Sequence, residues 1–500
     1  MFKGHPKGLY VLFFTEMWER FGFYTMLAIF VLYLQENFKW DAATVTNIYG
    51  IFLAAVYFTP ILGGWIADNL LGYGKTITLG AITMGIGYAL MAIPTVSEVQ
   101  LYAALGVVAL GNGLFKANIS VLVGNLYAHK DGSLKDAGYN IFYMGINIGA
   151  FYAPIAATNI KQFFIDNFGT TLAQGYNAGF AIAAFGMLVS IIIFLVYRKY
   201  YKDADYQSKN EKKDEKDLVL TKEQEKLRIV ALMTIFAIVI FFWMAFHQNG
   251  AALTLFARDY ITPMVGKFTY LLFDVLALHG ILAILLGGAT ALNKGTTQKI
   301  RGIGGFFAAV GVIIVIIKIN SLPELNAIAP EQFAYFNPMF IVLMTPLIVS
   351  YFRFLNRRGK EPSSPAKIGI GMLLTALSFM IMMIAAMGLP GVYSLENVSS
   401  AITVSPFWLI STYFVVTIGE LHLSPMGLSF VSKTAPPRMK GLMMGFWFGA
   451  TAVGNYLSGF IGRFYQNWEV WQFFLLLVIT SLIAALLVRI SLNKLKRATQ

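Results

Sequence analysis

Cysteine is absent from this 500-residue chain, so no redox compartment can be read from disulfide pairing and no thiol is available as a nucleophile. Charge is scarce as well: Asp, Glu, Lys and Arg make up 13% of the residues, against about 25% in soluble proteins. A water-soluble surface cannot be built from so few charges. The deficit accompanies 57% hydrophobic residues and a mean hydropathy of +0.65, with apolar runs longer than the roughly 18 residues that mark membrane-spanning helices. Secreted, fibrous and disordered classes are excluded. There are five histidines and no HExxH pattern or Asp-rich cluster, and His247 and His279 fall on different spans. Without metal or nucleophile geometry, an intramembrane enzyme is not expected.

Breaking the apolar stretches at charge and turn clusters gives spans at about 8–35, 44–69, 76–95, 99–125, 138–160 and 175–198. After a charged stretch come 229–257, 268–292, 302–319, 334–355, 367–389, 405–430, 441–462 and 471–492. The expectation is an all-α membrane protein with 14 transmembrane helices, each long enough at 1.5 Å per residue for a hydrocarbon core of about 30 Å.

The distribution of Lys and Arg tests that count, because a missed helix would scramble its alternation between sides. With the N-terminus in the cytoplasm, the inside segments hold 30 of the 38 basic residues, among them Lys3, Lys7, Lys75, Lys130 and Lys135. Six remain for the outside loops (Lys39, Lys161, Arg258, Lys267, Lys318 and Arg463), and Arg20 and Lys116 lie within spans. Both termini are therefore expected in the cytoplasm. The net charge of +13 and pI near 9.5 become a topology signal, and no nucleic-acid partner is expected. The first stretch is too long for a cleavable signal and contains Glu16, Glu19 and Arg20.

Residues 198–228 carry 10 basic and 8 acidic side chains and little apolar periodicity, the composition of a solvated tether. The chain divides accordingly into a six-helix bundle at 1–200, a cytoplasmic charged linker at 201–228, and a second bundle at 229–500. That second part has two helices more than a pair of six-helix repeats requires.

An ionisable group at the bilayer centre costs at least about 2.5–3.5 kcal/mol on insertion scales. The first span holds three, Glu16, Glu19 and Arg20, within about 100° of arc at 3.6 residues per turn. One pair could be a structural staple between helices; three mid-span charges favour a cavity. Lys116 sits far from either end of its span, where it cannot snorkel to water. Glu420 has Pro425 five residues on, where a kink or local unwinding is expected. Asn147 and Asn337 could serve as interhelical hydrogen bonders, the commoner use of such residues. Tyr24, Tyr57, Trp243 and Trp447 read individually as packing. The charged set sums to −1 when fully ionised, so one proton makes it neutral, which points to proton coupling.

EMWERFGFY at 16–24 resembles the ExxER motif of the proton-dependent oligopeptide transporters of the major facilitator superfamily. GGWIADNLLGYGKT at 63–76, GNGLFKANIS at 111–120 and YNIFYMGINIGAF at 139–151 are similar to further segments of that family's first half. FWMAFHQNG at 242–250, YFNPMFIVLMTP at 335–346, GELHLSPMGLS at 419–429 and MMGFWFGATAVGNYLSG at 443–459 are similar to its seventh, eighth, tenth and eleventh helices. Any one match is weak; eight in order are specific.

The resemblance implies a major facilitator fold, two six-helix bundles plus two extra transmembrane helices, that imports di- and tripeptides with protons by alternating access. Glu16, Glu19, Arg20 and Lys116 would couple proton binding to the peptide carboxylate. Glu420, Asn147 and Asn337 would hold the amino end, with Ser424 beside them, and Tyr24, Tyr57, Trp243 and Trp447 would line side-chain pockets. No cofactor beyond the proton gradient is implied. The expected setting is the bacterial cytoplasmic (inner) membrane, with the lipid bilayer as surroundings and a single chain as the functional unit.

The chain departs from the family in three places. The spare helix pair, at about 268–319, follows the seventh helix, whereas bacterial members often insert a pair before it; Asp274 and His279 within it read as peripheral. A first-helix tyrosine pair is here Phe23 and Tyr24. The first-helix arginine common in bacterial members falls at Leu27, and the seventh-helix acid falls at His247. The two losses make sense together, since removing one partner alone would strand a buried charge; His247, titratable near neutrality, is expected either to modulate pH dependence or to be a satisfied core imidazole. A relative carrying nitrate or an amino-acid conjugate, or a receptor that does not transport, are the alternatives.

Overall fold

The computed structural model describes residues 4–127, 132–205, 221–395, 399–436 and 440–498. Of the basic residues assigned to sides, Lys3, Lys130 and Arg438 lie outside the described residues, as do positions 206–220 of the linker. Among the described residues the chain is nearly all helical.

The first six long segments are Lys7–Phe38, Ala42–Phe58 continued by Pro60–Ile66 and a π turn to Leu71, Tyr73–Ala92, Glu98–Asn125, Gly132–Phe168 and Leu172–Val196. The seventh is Lys222–Phe246, which tightens into a 3-10 turn, His247–Gly250, and resumes as Ala252–Tyr260. Then follow Val275–Leu292, Gln298–Ser321, Phe336–Arg357, Ser364–Ala385, Phe407–Thr434, Lys440–Asn467 and Val470–Arg497. Twelve of these segments are long and apolar enough to cross a membrane on composition alone. The other two, Lys7–Phe38 and Lys440–Asn467, have the length, at 32 and 28 residues.

The first segment packs against the fifth and sixth, and the third against the fourth and sixth, closing one bundle; the eleventh against the twelfth and fourteenth, and the seventh against the thirteenth, close the other. Residues 198–205, read as the start of a free tether, instead dock on the first bundle. Asp205 accepts from the Gly74 N–H at 2.8 Å, and Asn125 donates to the Ala204 carbonyl at 3.0 Å. The helix Phe407–Thr434 runs through position 425 without unwinding, as a single lost backbone bond is tolerated where neighbours pack closely.

The extra pair, Val275–Leu292 and Gln298–Ser321, is a hairpin whose glycines interlock: a Cβ on Gly280 would lie 3.0 Å from the Gly311 carbonyl oxygen, and one on Gly287 2.6 Å from that of Gly304. Its outer face is apolar and exposed, with Phe306 at 64% and Ile317 at 57%, as befits contact with lipid tails. A two-stranded ladder pairs Met264–Gly266 with Leu325–Ala327 at its base. Asp274 caps the first hairpin helix and pairs with Lys318 at 2.7 Å, while His279 hydrogen-bonds Tyr152 of the fifth segment at 2.6 Å.

The face opposite the chain termini, here the distal face, joins the halves. Lys161 pairs with Glu331, both side chains buried, and Arg258 with Gln35. Lys161 and Arg258 are thus helical residues and not the loop residues their charge suggests; each gains a partner from the opposite half. The Ala43 N–H donates to Gln466 at 2.9 Å. The second and thirteenth segments cross so closely that a Cβ on Gly50 would lie 2.5 Å from the Gly459 Cα. Backbone cannot yield to such a methyl as a flexible side chain could, so Gly50→Val is expected to wedge this face apart. With no native cysteine in the chain, an Ala43→Cys, Gln466→Cys pair should crosslink readily, and Gly50→Val should reduce the yield several-fold. Undiminished crosslinking would mean that the helices slide to accommodate the side chain.

Candidate functional site

Between the halves lies a cavity of about 280 Å³, near the small end of the roughly 300–1,000 Å³ typical of small-molecule pockets. Its walls come from the first, second, fourth, fifth, seventh, tenth and twelfth segments. Lining side chains include Arg20, Tyr24, Tyr57, Lys116, Asn147, Trp243, His247, Asn337, Glu420 and Ser424.

The first segment supplies a buried triad. Arg20 lies 3.2 Å from Glu16 through its Nε and donates from Nη2 to Glu19 at 2.8 Å, with a further close Nε contact to Glu19. All three are at most 2% exposed, so bulk solvent screens them little, and the guanidinium is shared between two carboxylates in a fork that a lysine could not reproduce. Asn112 of the fourth segment also donates to Glu19 at 3.4 Å. The second oxygen of Glu16 is buried with no partner among the described residues. The two glutamates sit behind Arg20, which alone of the triad lines the cavity.

Lys116 reaches the cavity because the fourth segment approaches the second through small residues: a Cβ on Gly63 would lie 2.0 Å from the Gly113 carbonyl oxygen. This crossing places the Lys116 ammonium 4.1 Å over the Tyr57 ring, a cation–π contact. Lys116 makes no ion pair among the described residues. On the other side Asn337 donates to Glu420 at 2.9 Å and to Thr417 at 2.9 Å; Glu420 likewise has no cationic partner among the described residues. Asn147 donates to the Tyr143 carbonyl one turn back, at 3.0 Å. The Ser424 hydroxyl is buried and unpartnered among the described residues.

His247 stands where the seventh segment tightens. Its ring stacks on Trp243 with centroids 5.6 Å apart and meets Tyr57 edge-on at 6.2 Å. The break follows from close approach: a Cβ on Gly250 would lie 2.1 Å from the Tyr49 hydroxyl, and Tyr413 donates to the freed Asn249 carbonyl at 3.0 Å. Non-helical backbone at membrane depth is tolerated where it lines a cavity. Leu27 faces the same space.

One expected pocket residue is elsewhere. Trp447, 2% exposed, packs on Phe236 at 6.3 Å and fills the notch left by Gly427, in the core of the second half and away from the cavity lining. The sequence reading also missed Tyr49, Tyr143, Asn249 and Tyr413, which line the cavity. Asn249 lies two residues after His247 in FWMAFHQNG, where polarity beside the break was the available signal; the three tyrosines carried none. Among the described residues no group of His, Asp or Glu is arranged to hold a metal ion.

A multi-pass helical chain folded as two bundles around a small cavity, with a free cation on one wall and a free anion on the other, has the build of a membrane solute carrier of the major facilitator type. The profile described as PTR2: POT family matches residues 74–226 and 296–473, and the chain belongs to the POT family. It is 30% identical to the uncharacterized transporter YclF of Bacillus subtilis, over 93% of this chain and 89% of that one. It is 29% identical to dipeptide and tripeptide permease A of Salmonella typhimurium, over 99% and 93%. A crystal structure of a mutant of the peptide transporter POT in complex with alafosfalin superposes with a TM-score of 0.76 at 26% identity, covering 100% of this chain and 96% of that one.

Proposed function

We propose that this chain imports di- and tripeptides together with protons, by rocking its two bundles about the central cavity. The observation that carries the reading is the charge arrangement. Of the three charged lining residues, Arg20 is committed to Glu16 and Glu19. That leaves Lys116 on one half and Glu420 on the other, a match for the carboxylate and ammonium ends of a short zwitterion. The cavity volume suits a small substrate, and the names of the permease relatives agree. Asn337 orients Glu420, and Asn147 and Ser424 add neutral hydrogen-bonding groups. Tyr24, Tyr57 and Trp243 border the space for peptide side chains. Glu16 and Glu19 take up the transported proton, relayed to the substrate site through their shared hold on Arg20.

A nitrate carrier would be served by Lys116 alone, and an unpaired Glu420 facing the same cavity argues against it. The cavity is complete within one chain, so a single copy suffices. The setting is a bacterial cytoplasmic membrane, with both termini and the linker on the cytoplasmic side and the distal face outside, in keeping with the Lys and Arg bias and the bacterial relatives. The test is uptake of labelled dialanine into proteoliposomes under an inward proton gradient. Accumulation above the external concentration, competed by tripeptides and not by nitrate, is expected. Binding without accumulation would favour a receptor, and competition by nitrate the anion carrier.

Glu420→Ala should separate substrates by their amino end. Dialanine should lose about tenfold or more in apparent affinity, the scale of a lost charge-assisted hydrogen bond. N-acetyl-dialanine, which has no ammonium group to place there, should change by less than about twofold. Competition against labelled dialanine reads both, and equal losses would remove Glu420 from amino-end recognition.

A further inference from the structure

We infer that the cavity selects peptides with uncharged side chains, and that the wall formed by Leu27, Trp243, Phe246, His247 and Asn249 sets this preference. The inference rests on the peptide reading above and narrows it to a substrate class.

Arg20, Lys116 and Glu420 are the charged residues among those lining the cavity. Arg20 is held by two carboxylates, and the backbone ends of a bound peptide would engage Lys116 and Glu420. A charged peptide side chain would then enter a space with no counterion left to meet it, and desolvating an unpaired charge is far costlier than desolvating an amide or hydroxyl. At the wall in question Leu27 offers only hydrocarbon. His247 is packed face-on to Trp243 and edge-on to Tyr57 and Phe246, and the Tyr57 face is already taken by the Lys116 ammonium, so it is not open to a second cation.

The same wall is not purely apolar. The indole Nε1 of Trp243, the Nε2 of His247 and the side-chain oxygen of Asn249 are all buried without a hydrogen-bond partner among the described residues. Buried polar atoms of this kind are ordinarily satisfied. Three of them within one stretch of the seventh segment, beside the cavity, form a neutral donor and acceptor set suited to a hydroxyl or carboxamide side chain.

The test is competition against labelled dialanine uptake by Ala-Ser, Ala-Gln, Ala-Lys and Ala-Glu. Ala-Ser and Ala-Gln should inhibit at concentrations close to unlabelled dialanine, whereas Ala-Lys and Ala-Glu should need at least about tenfold more. His247→Glu should improve inhibition by Ala-Lys relative to dialanine about tenfold without helping Ala-Glu, and Leu27→Arg should do the reverse. The comparison in the unaltered protein can overturn the inference by itself: equal inhibition by charged and neutral peptides would do so. Discrimination in the unaltered protein that neither variant changes would equally refute the assignment to this wall. If dialanine is not taken up at all, the peptide reading fails and this inference with it; if dialanine is carried and charged peptides compete equally, the inference alone fails.

Discussion

Lys116→Ala is expected to abolish proton-driven uptake while leaving the protein folded and inserted. Glu16, Glu19 and Glu420 contribute three negative charges against Arg20 and Lys116, and the substitution takes the ionised sum from −1 to −2. The effect is also local. Arg20 is already shared by two carboxylates, so no second free cation is available to receive the peptide carboxylate. Removing one partner of a desolvated charge pair costs about 3–5 kcal/mol, which converts to roughly two to four orders of magnitude in affinity. Lys116→Arg should restore part of the loss, since charge is kept although the longer, planar guanidinium presents it in a different place and geometry from the compact ammonium. The measurement is initial uptake at a fixed proton gradient, with thermal unfolding as the control for folding. Undiminished uptake by the alanine variant would leave Lys116 a purely structural contact of Tyr57.

Glu16→Gln is expected to separate two activities that a simple loss of structure would remove together. Exchange of labelled for unlabelled peptide needs the site and the rocking motion but no net proton movement, so counterflow should remain within about threefold of the unaltered protein. Concentrative uptake needs the proton and should fall at least about tenfold, because the amide holds the same shape without the ionisable oxygen. The geometry favours Glu16 over Glu19 for this test. Glu19 makes the closer contact with Arg20 and accepts from Asn112, whereas Glu16 has one oxygen 3.2 Å from Arg20 and the other without a partner among the described residues. Parallel loss of both activities would end this division of labour.

Much of the architecture is legible because membrane helices obey a severe rule: backbone polar groups must be satisfied within the helix, and side chains in contact with lipid must be apolar. The long apolar runs therefore mark the segments closely. The clustering of Glu16, Glu19 and Arg20 could be read for the same reason, since three charges on one arc of an apolar helix need a common environment. What failed depended on contacts distant in sequence. Lys161 looks like a loop residue until Glu331, 170 positions away, is seen to bury it. The break in the seventh segment comes from the approach of Tyr49 to Gly250, and no local pattern encodes that. Trp447 could not be assigned a face by its type, since a mid-helix tryptophan packs on whichever neighbour leaves room, here Gly427. The docking of residues 198–205 was hidden by their charge, which resembles that of the linker beyond them.

The coupling of peptide to proton is tested most directly by watching the proton while supplying only the peptide. With the protein in liposomes enclosing a pH-sensitive dye, equal pH on both sides and the membrane potential clamped, external dialanine should acidify the lumen at a saturable rate. N-acetyl-dialanine should do so more weakly, and the Lys116→Ala protein not at all. Peptide entry with no change in luminal pH would contradict proton coupling.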